Sequence, residues 1–176
     1  MDALLPQAYL IGLLVILAVA AVVVGRQVWR VRKDEVSLAR LERQGSANDC
    51  GASDLYELGS AQLRKRLYGQ ATDTLKQALK RAQSEAEPPE ALAVIENALG
   101  FALAAQTNYK AAIPHYRKAL QAKPEYPVAL NNLAFALEKQ LKPDEAKEAY
   151  EQALSLDPSN KTARKRLNVL ERRNAA

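Results

Sequence analysis

Residues 93–126, AVIENALGFALAAQTNYKAAIPHYRKALQAKPEY, and residues 127–160, PVALNNLAFALEKQLKPDEAKEAYEQALSLDPSN, lie over one another without a gap. In that 34-residue register Leu99 meets Leu133, Gly100 meets Ala134, Ala112 meets Ala146, Tyr116 meets Tyr150, Ala119 meets Ala153 and Pro124 meets Pro158. A fixed period of this length marks one supersecondary unit repeated along the chain. The residue types describe that unit. A small residue (Gly100, Ala134) lets a first helix approach a second, Ala112 and Ala146 are the reciprocal small residues, and Tyr116 and Tyr150 are large plugs between the helices. Pro124 and Pro158 close each unit, because proline cannot continue a helix interior. An earlier copy holds Leu58, Gly59, Ala71, Leu75 and Ala78 at the same internal spacing, offset by 41 residues, so about seven extra residues lie near Ser84–Leu92, SEAEPPEAL.

The pattern resembles the tetratricopeptide repeat (TPR) family, in which each unit is a pair of antiparallel helices. No unit buries its faces alone, so a stack of about three with a cap is required. The predicted fold is all-α. Its TPR domain covers 52–176, with repeats at about 52–85, 93–126 and 127–160 and a C-terminal capping helix over 161–176. Three positions depart from the family pattern: Ala134 replaces glycine, Leu75 replaces an aromatic plug, and Pro114 is placed in the first turn of its helix.

Outward from the repeats, Ala8 to Val24 contains no charged residue, and Arg26, Arg30, Arg32 and Lys33 follow it. About 20 apolar residues cross a bilayer core, and cations on one flank set the orientation. A single transmembrane anchor is therefore predicted over 1–25, with everything after it on the cytoplasmic side. A basic juxtamembrane helix and linker is predicted over 26–51, and Cys50 within it is expected to be exposed. The small pairs Ala8/Gly12 and Ala21/Gly25 would allow self-association through the anchor.

Composition narrows the chemistry. The chain has one Cys and one His, so neither an internal disulfide nor a four-ligand zinc site can form. No glycine-rich phosphate loop is present. His115 reads as an ordinary surface histidine, and Asp144, Glu145 and Glu148 read as solvated partners of nearby lysines. No enzyme activity and no cofactor are expected. The net charge is +5, but the third repeat holds three Lys against six Asp and Glu, so no continuous basic stripe for nucleic acid results.

TPR stacks bind in the concave surface lined by the first helix of each unit. Helical spacing places Tyr56, Ser60 and Leu63 inward in the first repeat, Asn97, Phe101 and Ala104 in the second, and Asn131, Phe135 and Glu138 in the third. Lys139 and Arg64 fall at the rim. The protein-binding groove is thus predicted to use Tyr56, Ser60, Asn97, Phe101, Asn131, Phe135 and Lys139. A second candidate surface is the basic cap, where Lys161, Arg164, Lys165 and Arg166 would meet an acidic partner. Chaperone-binding TPR domains clamp a terminal carboxylate with Lys, Arg and Asn. The matching positions here hold Tyr56, Ser60, Ala98, Val128 and Asn132, four of them of the wrong type.

A closer resemblance rests on LLPQAYLIGLLVILAVAAVVVGRQV (4–28), LYELGSAQL (55–63), ENALGFALA (96–104) and ALNNLAFALEKQ (129–140). The whole layout is similar to the membrane-anchored TPR family of cyanobacteria and plastids that assists photosystem I assembly. That resemblance implies a thylakoid scaffold holding photosystem I subunits or assembly intermediates. The alternative is a TPR receptor or co-factor for protein targeting and translocation at a membrane.

Overall fold

The computed structural model describes residues 12–27 and 50–174. The chain divides into two compact units, residues 1–40 and 41–176. In the first, α1 is helical over 12–27 with its side chains exposed. The second holds α2 (Ala52–Arg64), α3 (Tyr68–Ser84), α4 (Pro89–Ala105), α5 (Tyr109–Ala122), α6 (Pro127–Lys139), α7 (Pro143–Leu156) and α8 (Lys161–Asn174).

The predicted transmembrane anchor is not borne out. Among the described residues no helix is long and apolar enough to cross a membrane. At about 1.5 Å per residue, the described part of α1 reaches roughly 24 Å, short of a ~30 Å hydrocarbon core. The fold class is corrected to an all-α TPR helical stack without a membrane-crossing helix among those residues. The single-pass placement, with the repeats on the cytoplasmic or stromal face of a thylakoid, falls with it. Residues 1–11 and 28–49, which carry the expected flanks of the span and most of the stalk, lie outside the described residues.

Within the repeat unit each helix packs on the next, and the tightest contacts are within pairs: α2 on α3, α4 on α5, α6 on α7. The glycines show why. A Cβ added at Gly59 would lie 2.7 Å from Leu75 Cγ, and one at Gly100 would lie 2.7 Å from Tyr116 Cε1. The plug side chains Leu75, Tyr116 and Tyr150 are fully buried, as are the small residues Ala71, Ala112 and Ala146. α8 closes the stack by setting Ala163 and Leu170 into the core of the third repeat.

The Ser84–Leu92 segment is mostly helix. α3 ends at Ser84, the turn is short, and Pro89 opens α4, which has 17 residues where α2 and α6 have 13. Proline suits the first helical position, where its missing N–H is not needed. Pro114 lies deeper than the first turn, inside α5. It is exposed, so water can serve the carbonyl that its missing N–H leaves without a helical partner. Cys50 is partly buried against the apolar cluster that includes Ala52, Leu55, Ala78, Ala82 and Ile95, rather than exposed.

Among the described residues four helices end in a left-handed residue that is not glycine: Arg66, Ala86, Thr107 and Leu141, with φ between 52° and 62°. In each the following N–H closes a six-residue turn, as in Lys142 N–H to the Leu137 carbonyl at 3.0 Å. Leu141 is 82% exposed and so has little packing to lose. Leu141→Gly is expected to raise stability by about 0.5–1 kcal/mol, the relief of left-handed strain less the added freedom of the unfolded chain. Urea denaturation measures this, and a lower midpoint would contradict it.

Candidate functional site

The helices α2, α4 and α6 touch one another directly across successive repeats. They form the inner face, and the second helix of each pair lies behind them. This inner face carries the residues predicted to line the groove, in three different states.

At its centre is an amide brace. Asn97 is only 9% exposed. Its Nδ2 donates to the Tyr126 hydroxyl at 3.3 Å, and its Oδ1 accepts from Asn132 Nδ2 at 3.0 Å. Asn97 therefore ties α4 to α6 and to the turn before α6. Burial pushes the Tyr126 phenol up from its ordinary value, neighbouring Tyr56 adds to the effect, and the Asn97 hydrogen bond opposes it. Tyr56 is partly buried and packs on the apolar clusters of the first two repeats. Ser60 and Asn131 are also partly buried, and the Asn131 Oδ1 is enclosed without a hydrogen-bond partner.

Phe101 on α4 and Val128 on α6 provide exposed apolar surface, at 44% and 54% exposure. Phe135 is partly buried and framed by charge and ring contacts. Tyr109 meets it edge-on at 6.0 Å, Lys139 Nζ is 5.4 Å from its ring centre, and Arg166 Cζ is 5.0 Å away. The groove set and the cap set, separate in the sequence, meet at this ring. Arg164 does not join them, since its guanidinium donates to the Pro158 carbonyl. Tyr109, Tyr126 and Val128 belong to the same surface, and helical spacing alone does not pick them out. The available signal is their position just before or within the first turn of a helix.

His115 is not a plain surface histidine. Its Nδ1 lies 2.6 Å from Glu96 Oε2, and the Glu96 side chain is 5% exposed. Lys118 Nζ is 3.9 Å from the other carboxylate oxygen. Arg117 reaches from α5 to Glu145 on α7 at 2.8 Å, and Glu145 also accepts from Lys142 at 2.7 Å. These hydrogen bonds and cations hold the Glu145 carboxyl below its ordinary value, Lys142 foremost.

Two models of the family described as tetratricopeptide repeat match the chain, over residues 56–127 and 127–160. The chain is 35% identical over 170 residues to "Uncharacterized protein ycf37" of Guillardia theta, covering 97% of this chain and 94% of that protein. It is 34% identical over 166 residues to "Tetratricopeptide repeat domain-containing protein PYG7, chloroplastic" of Arabidopsis thaliana, covering 94% of this chain. It spans only 54% of that relative's length. Among solved structures, the first TPR of Spaghetti (RPAP3) bound to an HSP90 peptide superposes with a TM-score of 0.65 at 22% identity, over 71% of this chain and 94% of that one. At that identity the likeness is one of fold. TPR domains are protein-interaction modules rather than enzymes, and this repeat stack is a scaffold of that kind. The chain belongs to the tetratricopeptide repeat family and is a relative of the proteins named ycf37 and PYG7.

Proposed function

We propose that the protein is an assembly scaffold for photosystem I, holding protein subunits or assembly intermediates against the inner face of its repeats. The observation that supports this most is similarity along nearly the whole chain to the Guillardia theta ycf37 protein, joined to the chloroplastic relative from Arabidopsis. The anchor-independent part of the sequence resemblance points the same way. Groove chemistry fits a protein ligand: Phe101 and Val128 offer exposed apolar area beside the partly buried tyrosines Tyr56 and Tyr126, while the Asn97 brace fixes the helices that carry them.

The test is capture of partners by the tagged full-length protein in a lysate of its native cells, compared with Phe101→Ala. Phe101 is exposed enough to be cut back without opening a core cavity. Wild type is expected to recover photosystem I subunits, and Phe101→Ala to recover several-fold less with unchanged helicity. Recovery of precursor proteins and translocation components without photosystem subunits would favour a targeting receptor and sink the assembly role.

A further inference from the structure

We propose that the C-terminal end of the groove and the exposed face of α8 form one cationic seat for an acidic segment of a protein partner. The carboxylates of that segment would meet Lys139, Lys161, Lys165 and Arg166. The proposal deepens the scaffold reading and rests on it.

Geometry joins the two halves of the seat. Lys139 from α6 and Arg166 from α8 both stand over the ring of Phe135, at 5.4 and 5.0 Å. Along α8, Lys161, Thr162, Lys165, Arg166 and Val169 line one open depression. Lys139, Lys161 and Lys165 are exposed, and among the described residues none of them forms an ion pair. Among the described residues, the one carboxylate that forms an ion pair with this set is Glu138, through Arg166. Its side chain is 10% exposed, sits 3.4 Å from Arg166 Nη1 and also accepts from the Tyr150 hydroxyl. One recessed carboxylate cannot neutralise four cations.

The placement of these cations works against fold stability. α8 opens with Lys161, Arg164 and Lys165 and has no acidic residue in its first turn. The positive end of the helix dipole lies there, and cations at that end are disfavoured. The same arrangement concentrates positive potential over the depression, where an anionic group is favoured. Val169, 42% exposed, adds apolar surface between the charges. A protein segment mixing Glu or Asp with apolar residues matches this surface better than nucleic acid does. A nucleic-acid backbone would need a continuous stripe, and the third repeat beside the seat carries three Lys against six Asp and Glu.

The probe is a fluorescein-labelled dodecapeptide in which Glu alternates with Leu and Ala, read by anisotropy against the full chain. A control peptide carries Gln for every Glu. Wild type is expected to bind the Glu peptide at least tenfold more tightly than the Gln peptide, with affinity falling as salt rises. The double variant Lys161→Glu, Lys165→Glu should lose tenfold or more while its melting temperature stays level or rises, because the new carboxylates suit the helix dipole. Equal binding of both peptides overturns the proposal, as does undiminished binding by the double variant. Tighter binding of a single-stranded oligonucleotide or of phosphatidylglycerol vesicles than of the peptide also overturns it. A double variant that binds like wild type, while Phe101→Ala still loses photosystem subunits, removes the seat and leaves the scaffold standing.

Discussion

Tyr116→Ala is expected to lower the unfolding free energy by about 3–5 kcal/mol, the range for truncating a buried aromatic to alanine. Tyr116 is 1% exposed and sits where Gly100 leaves room for it, in a cluster that includes Ile113, Leu130, Leu133 and Ala134. The cavity would open between α4, α5 and α6. It cannot collapse easily, because helix backbones already in close contact form its walls. The effect is amplified by architecture. In a linear stack each repeat is held only by its neighbours, and the middle repeat is the link between the first pair and the capped third. Since a domain of this size holds only about 5–15 kcal/mol in all, the variant should lose a large share of its stability. Tyr116→Phe keeps the ring and should cost far less. Burial pushes the Tyr116 phenol well above its ordinary value, so the neutral ring is the form that packs. That preference stabilises the fold below about pH 10 and is lost as pH rises beyond it. Urea titration followed by far-ultraviolet dichroism measures all three proteins. A loss below about 1 kcal/mol for Tyr116→Ala would refute this account of the plug, because even partial collapse leaves more than that.

The plug is readable from the sequence because it is a contact within one repeat. Gly100 and Tyr116, and Gly59 and Leu75, hold fixed separations along the chain, so periodicity reports them directly. Contacts between repeats depend on how far each pair rotates against the next, which no spacing encodes. For that reason Asn97 is visible as an inward amide but its bonds to Asn132 and Tyr126 are not. Phe135 is visible as an inward ring, but spacing assigns the Arg166 above it to a separate surface. The extra residues after Ser84 read as a break because two prolines stand there. Proline ends helices and also begins them, and here Pro89 begins α4. The anchor fails on a different ground. Apolar composition between Ala8 and Val24 says what such a segment would bury, whereas a membrane span also needs a helix long and apolar enough to cross, and among the described residues there is none.

His115→Ala and Glu96→Leu should move stability in opposite directions although they remove the two halves of one pair. In the repeat register Glu96 stands where the first repeat has Leu55 and the third has Leu130, both buried. A carboxylate at 4% exposure has therefore replaced an interior leucine. Its nearest partner is His115 Nδ1 at 2.6 Å, and Lys118 at 3.9 Å is 56% exposed and correspondingly screened. Truncating the histidine leaves a buried carboxylate with a weak partner. Breaking a fully buried pair costs about 3–5 kcal/mol, and the remaining lysine reduces this to roughly 2–4 kcal/mol. Glu96→Leu removes the group that needed compensation and restores the interior of the neighbouring repeats. The freed His115 side chain is 22% exposed and can be hydrated. Replacing a buried charge by a fitting apolar residue is neutral or stabilising by about 1–4 kcal/mol, so Glu96→Leu should raise the urea midpoint and Glu96→Leu with His115→Ala should stay at or above wild type. Both single variants destabilising to a similar degree would mean that the pair contributes net stability and that the attraction between its members outweighs the cost of taking Glu96 out of water. The expected asymmetry instead makes Glu96 a residue that lowers stability, on the same helix that braces α6 through Asn97 and exposes Phe101.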